Sequence, residues 1–170
     1  MTDHFDTLET RDPEARELAI LAALPAQIAH AKAHAPAFAR ILADVDPVAI
    51  TTRAALAQVP VTRKSELLEL QKGARPFGGF AATHWGAARR VFASPGPLYE
   101  PEDATADYWR LARALFAAGF RRGELVHNCF AYHLAPAGSM CETGAHALGC
   151  TVFPGGTGQT ELQVQAMADL

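Results

Sequence analysis

The sequence predicts an α/β protein in which a helical N-terminal segment precedes a partial parallel βαβ sheet. Three observations carry this expectation. Up to about residue 72, apolar residues recur at helical spacing with little alternating pattern. Gly73 to Gly79, with Pro76 and two adjacent glycines, is a loop that divides the chain into 1–72 and 73–170. Then LVHNCFAYHLAPAGSMCETGAHALGCTVFPGGTGQT, Leu125 to Thr160, reads strand, helix, strand and glycine loop. Parallel strands need a long crossover, usually a helix and almost always right-handed.

Of the 170 residues, 49% are hydrophobic and 19% charged, enough apolar material for a core and too little charge for a disordered chain. A net charge of −3 points to neither nucleic acid nor an anionic membrane surface. The apolar runs fall short of a membrane span, and the acidic opening MTDHFDTLETRD lacks a signal-peptide core. Three cysteines, an odd number, argue for a reducing, cytoplasmic setting rather than a disulfide framework.

Taken in order, residues 1–11 read as a polar lead-in. Asp12-Pro13-Glu14 is a helix start, with a capping Asp and Pro in the first turn. Leu18, Leu21, Leu24 and Ile28 mark the buried face, and Pro25 should kink or interrupt it. Pro36 opens a helix over Ala37–Ala43, Asp44–Pro47 is a turn, and Thr52–Gln58 is a short helix ending before Pro60. Thr62 should cap the next helix, Arg63 to Leu70.

Beyond the loop, Arg90–Ala93 is β-compatible and Ser94-Pro95-Gly96-Pro97 is a sharp turn, with Leu98–Glu100 returning as a strand. Asp103 to Ala118 has helical spacing through Tyr108, Leu111, Ala112, Leu115 and Phe116, stopped by Gly119. A strand from Leu125 to Phe130, a helix over about Pro136 to Leu148 stopped by Gly149, a strand Cys150–Phe153 and a helix Glu161–Leu170 complete the series. A series ending on a helix, with no next strand, reads as unfinished: a fragment, or a chain whose sheet is completed by a partner such as a second copy.

Ligands in open α/β sheets sit beyond the carboxyl ends of the strands. Here those ends are the Tyr132-His133 region and the loop of Gly155, Gly156 and Gly158. Tyr132 suits a pocket wall or a cover for the core edge; His133 suits a polarising group or a solvated side chain. The glycine loop suits either an anion at a helix N-terminus or a plain connection. Ser94 and Gly96 sit in a turn that could offer N–H groups to a phosphate, although the residues alone favour a tight hairpin. His127, Cys129 and His133 are the candidates for a small zinc site; their spacing matches no standard knuckle, and Cys141 and Cys150 suit small buried positions. Ser139 and Cys141 have no base partner at a recognisable spacing.

Three patches, in order, resemble the N-terminal part of the phenylacetate–coenzyme A ligases, which are AMP-forming adenylating enzymes. The first is Ile28-Ala29-His30-Ala31-Lys32-Ala33-His34-Ala35-Pro36-Ala37-Phe38, then Asp44-Val45-Asp46-Pro47 and Leu56 to Lys64, with Val59 where the family's LP-x-T-x-K step has leucine. The second is Pro76-Phe77-Gly78-Gly79-Phe80 with Arg90-Val91-Phe92-Ala93-Ser94. The third is Phe130 to Leu134 with Ala137-Gly138, Gly144-Ala145, Leu148 to Gly156 and Thr160-Glu161.

The resemblance implies the fold of an adenylate-forming enzyme. It also implies an activity: an aryl carboxylate activated with ATP and magnesium to an acyl-adenylate, then transferred to coenzyme A. The family's phosphate loop would fall at Ser94-Pro95-Gly96-Pro97, where Ser94 and Gly96 remain, the threonines and lysine are absent, and two prolines remove N–H donors. Its aryl pocket would begin at Tyr132 and His133, with Ala135 and Gly138 as small lining residues. The adenine, ribose and magnesium contacts and the mobile-domain lysine would lie beyond residue 170, so the resemblance implies a chain inactive by itself and completed by the remainder of the enzyme, while the unfinished sheet suggests a homodimer. A non-catalytic binding or assembly module of the same ancestry is the alternative, with the small zinc-binding α/β protein behind it.

Overall fold

The computed structural model describes residues 4–170, so the first three residues of the expected lead-in lie outside it. The rest of the lead-in is anchored. The Phe5 ring packs edge-on against Phe116, with ring centroids 5.8 Å apart. Arg113 lies over Phe5 and pairs with Asp6 at 2.6 Å and Glu9 at 2.7 Å.

Helix α1 spans Pro13–His34, and the Asp12 carboxylate accepts from the amides of Glu14 and Ala15 at 2.9 and 3.0 Å. Pro25 does not interrupt it. The buried Ile28 and half-buried Leu24 hold this stretch against Leu42, Ile50 and Phe38, and tertiary burial outweighs one lost backbone bond. Helix α2 covers Pro36–Ile41 and α3 covers Arg53–Leu56, its first turn capped by Thr52. Helix α4 runs Lys64–Gly73, three residues past the expected end; Arg63, not Thr62, holds the cap position and makes no side-chain cap bond.

Strands β1 (Arg90–Ser94) and β2 (Leu98–Glu102) form an antiparallel hairpin in which Ser94 pairs with Leu98. Strand β2 is two residues longer than expected because Arg90 and Val91 find partners in Glu102 and Pro101. The expected helix from Asp103 shrinks to α5, Ala112–Ala117. Asp107 is the cause: its carboxylate accepts from the Leu111 and Ala112 amides at 2.8 and 3.1 Å, a side-chain cap that competes with helix before it. Asp107 and Arg110 both adopt positive φ in the intervening turn.

Strand β3 (Leu125–His127) pairs in parallel with β4 (Thr151–Phe153), joined through α6 (Ala137–Leu148), which Gly149 closes at φ 83°. The expected strand to Phe130 ends at His127 because Asn128 turns the chain: its Oδ1 accepts from the Phe130 amide at 3.1 Å. Helix α7 covers Thr160–Asp169. One core lies among the N-terminal helices around Ile28, Leu42 and Ile50. The other joins Ala112, Ala145, Leu148 and Cys150 under β3 and β4. Cys150 is a buried free thiol there, and Cys141 and Cys129 are also free. No helix of the described residues is long and apolar enough to cross a membrane.

Candidate functional site

The parallel pair β3–β4 delivers two chain ends to one place, and Asn128 joins them. Its amide donates to the Phe153 carbonyl at 2.9 Å, and its carbonyl accepts from the Gly156 amide at 3.0 Å. Its side chain is buried. There Nδ2 donates to the Tyr132 hydroxyl at 2.7 Å and to the Gly138 carbonyl at 2.9 Å. One residue therefore ties the strand end, the glycine loop, the tyrosine loop and the first turn of α6. The sequence reading missed it; an Asn directly after an apolar run and before an aromatic loop was the available signal.

Tyr132 is half-buried. Burial and the nearby Glu142 carboxylate push its phenol well above the ordinary 10.0, against the opposing Asn128 hydrogen bond. It is a neutral hydroxyl at physiological pH. Gly138 has to be glycine: a Cβ there would sit 2.6 Å from the Ala131 carbonyl oxygen and 2.9 Å from the Tyr132 ring. His133 is exposed, and Ala135 follows it half-buried, its amide donating to the His133 carbonyl at 2.8 Å.

The glycine loop is clamped from α7. Gln163 Nε2 donates to the carbonyls of Gly156 at 3.1 Å and Gly158 at 2.5 Å. Its Oε1 is then the acceptor that faces His127 Nε2 at 2.9 Å, so the hydrogen-bond pattern assigns the His127 proton to Nε2. That nitrogen is committed to Gln163, and Cys129 lies exposed beyond the strand as a free thiol. Among the described residues no three His, Cys, Asp or Glu side chains are placed to hold a metal ion. Gly155 packs under His127, where a Cβ would meet Nε2 at 2.7 Å. A groove of about 350 Å³ opens between this loop and α7, lined by Cys129, Thr157, Gly158, Val164 and Met167. The Thr157 and Gly158 amides have no acceptor among the described residues.

The Ser94–Pro97 turn is the hairpin tip. Ser94 is buried and its hydroxyl donates to the Leu98 carbonyl at 3.4 Å, while Gly96 is exposed. Its strand is nonetheless joined to the tyrosine loop, since the Ala93 amide donates to the Leu134 carbonyl at 2.8 Å.

Behind the hairpin lies a buried charge that the sequence reading also missed. Glu102 is 1% exposed. Its carboxylate accepts from Ser139 Oγ at 2.7 Å and Trp109 Nε1 at 2.7 Å, and it pairs with Arg90. Burial pushes this carboxyl up, but the Trp109, Ser139 and Arg90 hydrogen bonds together outweigh it and hold the group below its ordinary value. The Ser139 hydroxyl is thereby engaged in joining α6 to the hairpin.

No family model matches the chain. Phenylacetate-coenzyme A ligase of Aromatoleum evansii is 37% identical over 132 residues, 74% of this chain and 29% of that enzyme. The enzyme of the same name from Thermus thermophilus is 35% identical over 84% of this chain and 33% of its own length. That of Pseudomonas putida is 32% identical over 97% of this chain and 38% of its own length. The chain thus spans about a third of the length of these curated relatives. Among solved structures, 2-hydroxyisobutyryl-CoA ligase in the postadenylation state, in complex with R3-HIB-AMP, matches with a TM-score of 0.83 at 24% identity, covering 94% of this chain and 35% of that one. An open conformation of that ligase, in complex with 2-HIB-AMP and CoA, matches with a TM-score of 0.82 at 25% identity, covering 94% of this chain and 39% of that one.

Proposed function

Because the chain belongs, in sequence and in fold, with the N-terminal portion of the phenylacetate–coenzyme A ligase family, we propose that it supplies the acid-binding wall and part of the nucleotide-facing surface of an AMP-forming ligase for a phenylacetate-like aryl acid. One observation carries the reading: Asn128 gathers Tyr132, the start of α6 and the glycine loop beyond the carboxyl ends of two parallel strands. The neutral Tyr132 phenol would form a wall and offer a hydrogen bond. The Thr157 and Gly158 amides, which have no acceptor among the described residues, fit a phosphate or carboxylate oxygen. In this reading residues 1–72 brace the unit and 73–170 carry the pocket.

ATP would supply the leaving group that converts a carboxylate into an acyl-adenylate, and coenzyme A would accept the acyl group. Among the described residues no three His, Cys, Asp or Glu side chains gather around one point, and no role in holding magnesium is assigned to them. The reaction as a whole is proposed for a ligase of which this chain matches about a third, and the 170-residue chain alone should release no pyrophosphate from ATP with phenylacetate. Release by the purified chain would overturn that statement.

A second reading, a non-catalytic binding or assembly module of the same ancestry, is favoured by the hairpin tip. Ser94 spends its hydroxyl on Leu98, and two prolines offer no N–H. A non-hydrolysable phenylacetyl-adenylate mimic, the acyl-sulfamoyl adenosine, separates the two. Saturable amide-shift changes over Asn128–Gly138 and Gly155–Gly158 support the ligase reading, and their absence in a folded sample leaves the module.

A further inference from the structure

The β1–β2 hairpin has two faces. Phe92, Ser94, Leu98 and Glu102 are buried on one, while Val91 and Tyr99 stand 45% and 46% exposed on the other. Helix α4 lies against β2. The Gln71 carboxamide donates to the Tyr99 carbonyl and accepts from the Tyr99 amide, both at 2.9 Å, pairing with the open edge of β2 as a strand residue would. Beside that clamp the two elements stay apart, leaving a cavity of about 760 Å³. That size lies within the range of small-molecule sites. Its walls are apolar and aromatic: Leu68, Phe77, Val91 and Tyr99, with Trp85 59% exposed.

Among the described residues that line it, Lys72 and Arg75 are the charged ones. Lys72 has an exposed partner in Glu69 at 2.7 Å, whereas Arg75 has no ion-pair partner among the described residues. A neighbouring cavity of about 570 Å³ shares Gln71 and Tyr99 but carries Glu100 and Asp103. An anion is therefore favoured in the first and repelled by the second. Aromatic walls with a planar guanidinium and no carboxylate match a flat, apolar body carrying one negative charge.

We propose that the cavity between α4 and the outer face of the hairpin is a binding site for a flat aromatic anion, separate from the Asn128-centred groove. Its walls include Val91 and Tyr99, from the two strands that lead into and out of the Ser94–Pro97 turn, so an occupant would stiffen that turn. The site does not depend on the ligase reading.

The test is a titration of the 15N-labelled 170-residue chain with 2-naphthoate, using uncharged 2-naphthalenemethanol as the control. The expected result is saturable shifts of the Trp85 indole N–H and of the Gln71, Val91 and Tyr99 amides, with the carboxylate binding more tightly than the alcohol. Arg75→Ala should weaken naphthoate about five-fold and leave the alcohol unchanged, as removal of one exposed charge contact would. Arg75→Lys should recover part of the loss. Arg75 is exposed, so neither variant should disturb the fold. Shifts confined to Asn128–Gly138 or Gly155–Met167, equal binding of acid and alcohol, insensitivity to Arg75→Ala, or no saturation by millimolar ligand would each overturn the proposal. Binding of the adenylate mimic is read on other resonances, so either idea can fail without the other.

Discussion

The Asn128 carboxamide stands 2.7 Å from the Tyr132 hydroxyl, four residues along the chain, and donates to it from a buried position. Through the same nitrogen it reaches the Gly138 carbonyl, so a single amide sets how far the tyrosine loop stands from α6.

Asn128→Ala should cost about 2–4 kcal/mol, since it leaves buried partners without their hydrogen bonds. Urea unfolding of the two proteins measures this. A loss below about 0.5 kcal/mol, the ordinary range for an indifferent surface site, would mean the junction does not depend on this side chain.

Two glycines should respond differently to alanine. At Gly138 the added methyl would sit 2.6 Å from a carbonyl oxygen, so the helix start or the tyrosine loop must shift, at about 1–3 kcal/mol or more. At Gly156 nothing lies within 4 Å of the methyl, but φ is +68°, so the cost is conformational, about 1 kcal/mol. Only Gly138→Ala should also move the Tyr132 ring resonances. Equal effects at the two positions would contradict the crowding argument.

The Glu102 carboxyl titrates below its ordinary value of 4.5 in the folded protein. A depressed folded value adds stability that is present above the unfolded value and is lost as pH falls through the folded one. Stability should therefore decline from about pH 4.5 downward, and Glu102→Gln should flatten that decline. Asp6 and Glu17 are also lowered, by their arginine partners, so a residual acid slope should survive the substitution. Chemical unfolding at stepped pH gives both slopes; identical slopes would remove Glu102 from the account.

Gln163→Ala should loosen the glycine loop without unfolding the chain. The side chain holds two loop carbonyls and His127 at once, and its loss should speed exchange of the Gly156 amide about ten-fold through local opening. The same change should release the His127 ring from its Nε2–H tautomer, visible in its imidazole nitrogen shifts. Unchanged exchange at Gly156 would show the loop to be held by its backbone alone.

Elements whose cause lies within a few residues were legible in the chain. Asp12-Pro13 opens α1, and Gly149 closes α6 in the left-handed conformation that a glycine stop implies. The parallel β3–β4 pair was readable because α6 is long enough to serve as the crossover. Elements governed by distant partners were misread. Pro25 was expected to kink or interrupt its helix, and α1 runs on through it because Ile28 is buried against residues 42 and 50. Asp103–Ala118 has helical spacing, but Asp107 caps a later start and Trp109 turns away to Glu102.

The candidate site divides along the same line. Tyr132, Gly138 and the glycine loop follow from order along the chain, since strand ends and the turns after them are local features. Of the groups that hold them, Asn128 left a local signal, an Asn directly after an apolar run, whereas Gln163 and the Glu102–Arg90–Ser139 set left none. A hydrogen bond between residues 36 or 37 positions apart leaves no periodic mark, because its energy depends on an alignment that only the packed chain creates. Local order therefore specified which loops meet at the strand ends, and packing specified which polar side chain holds each one in place.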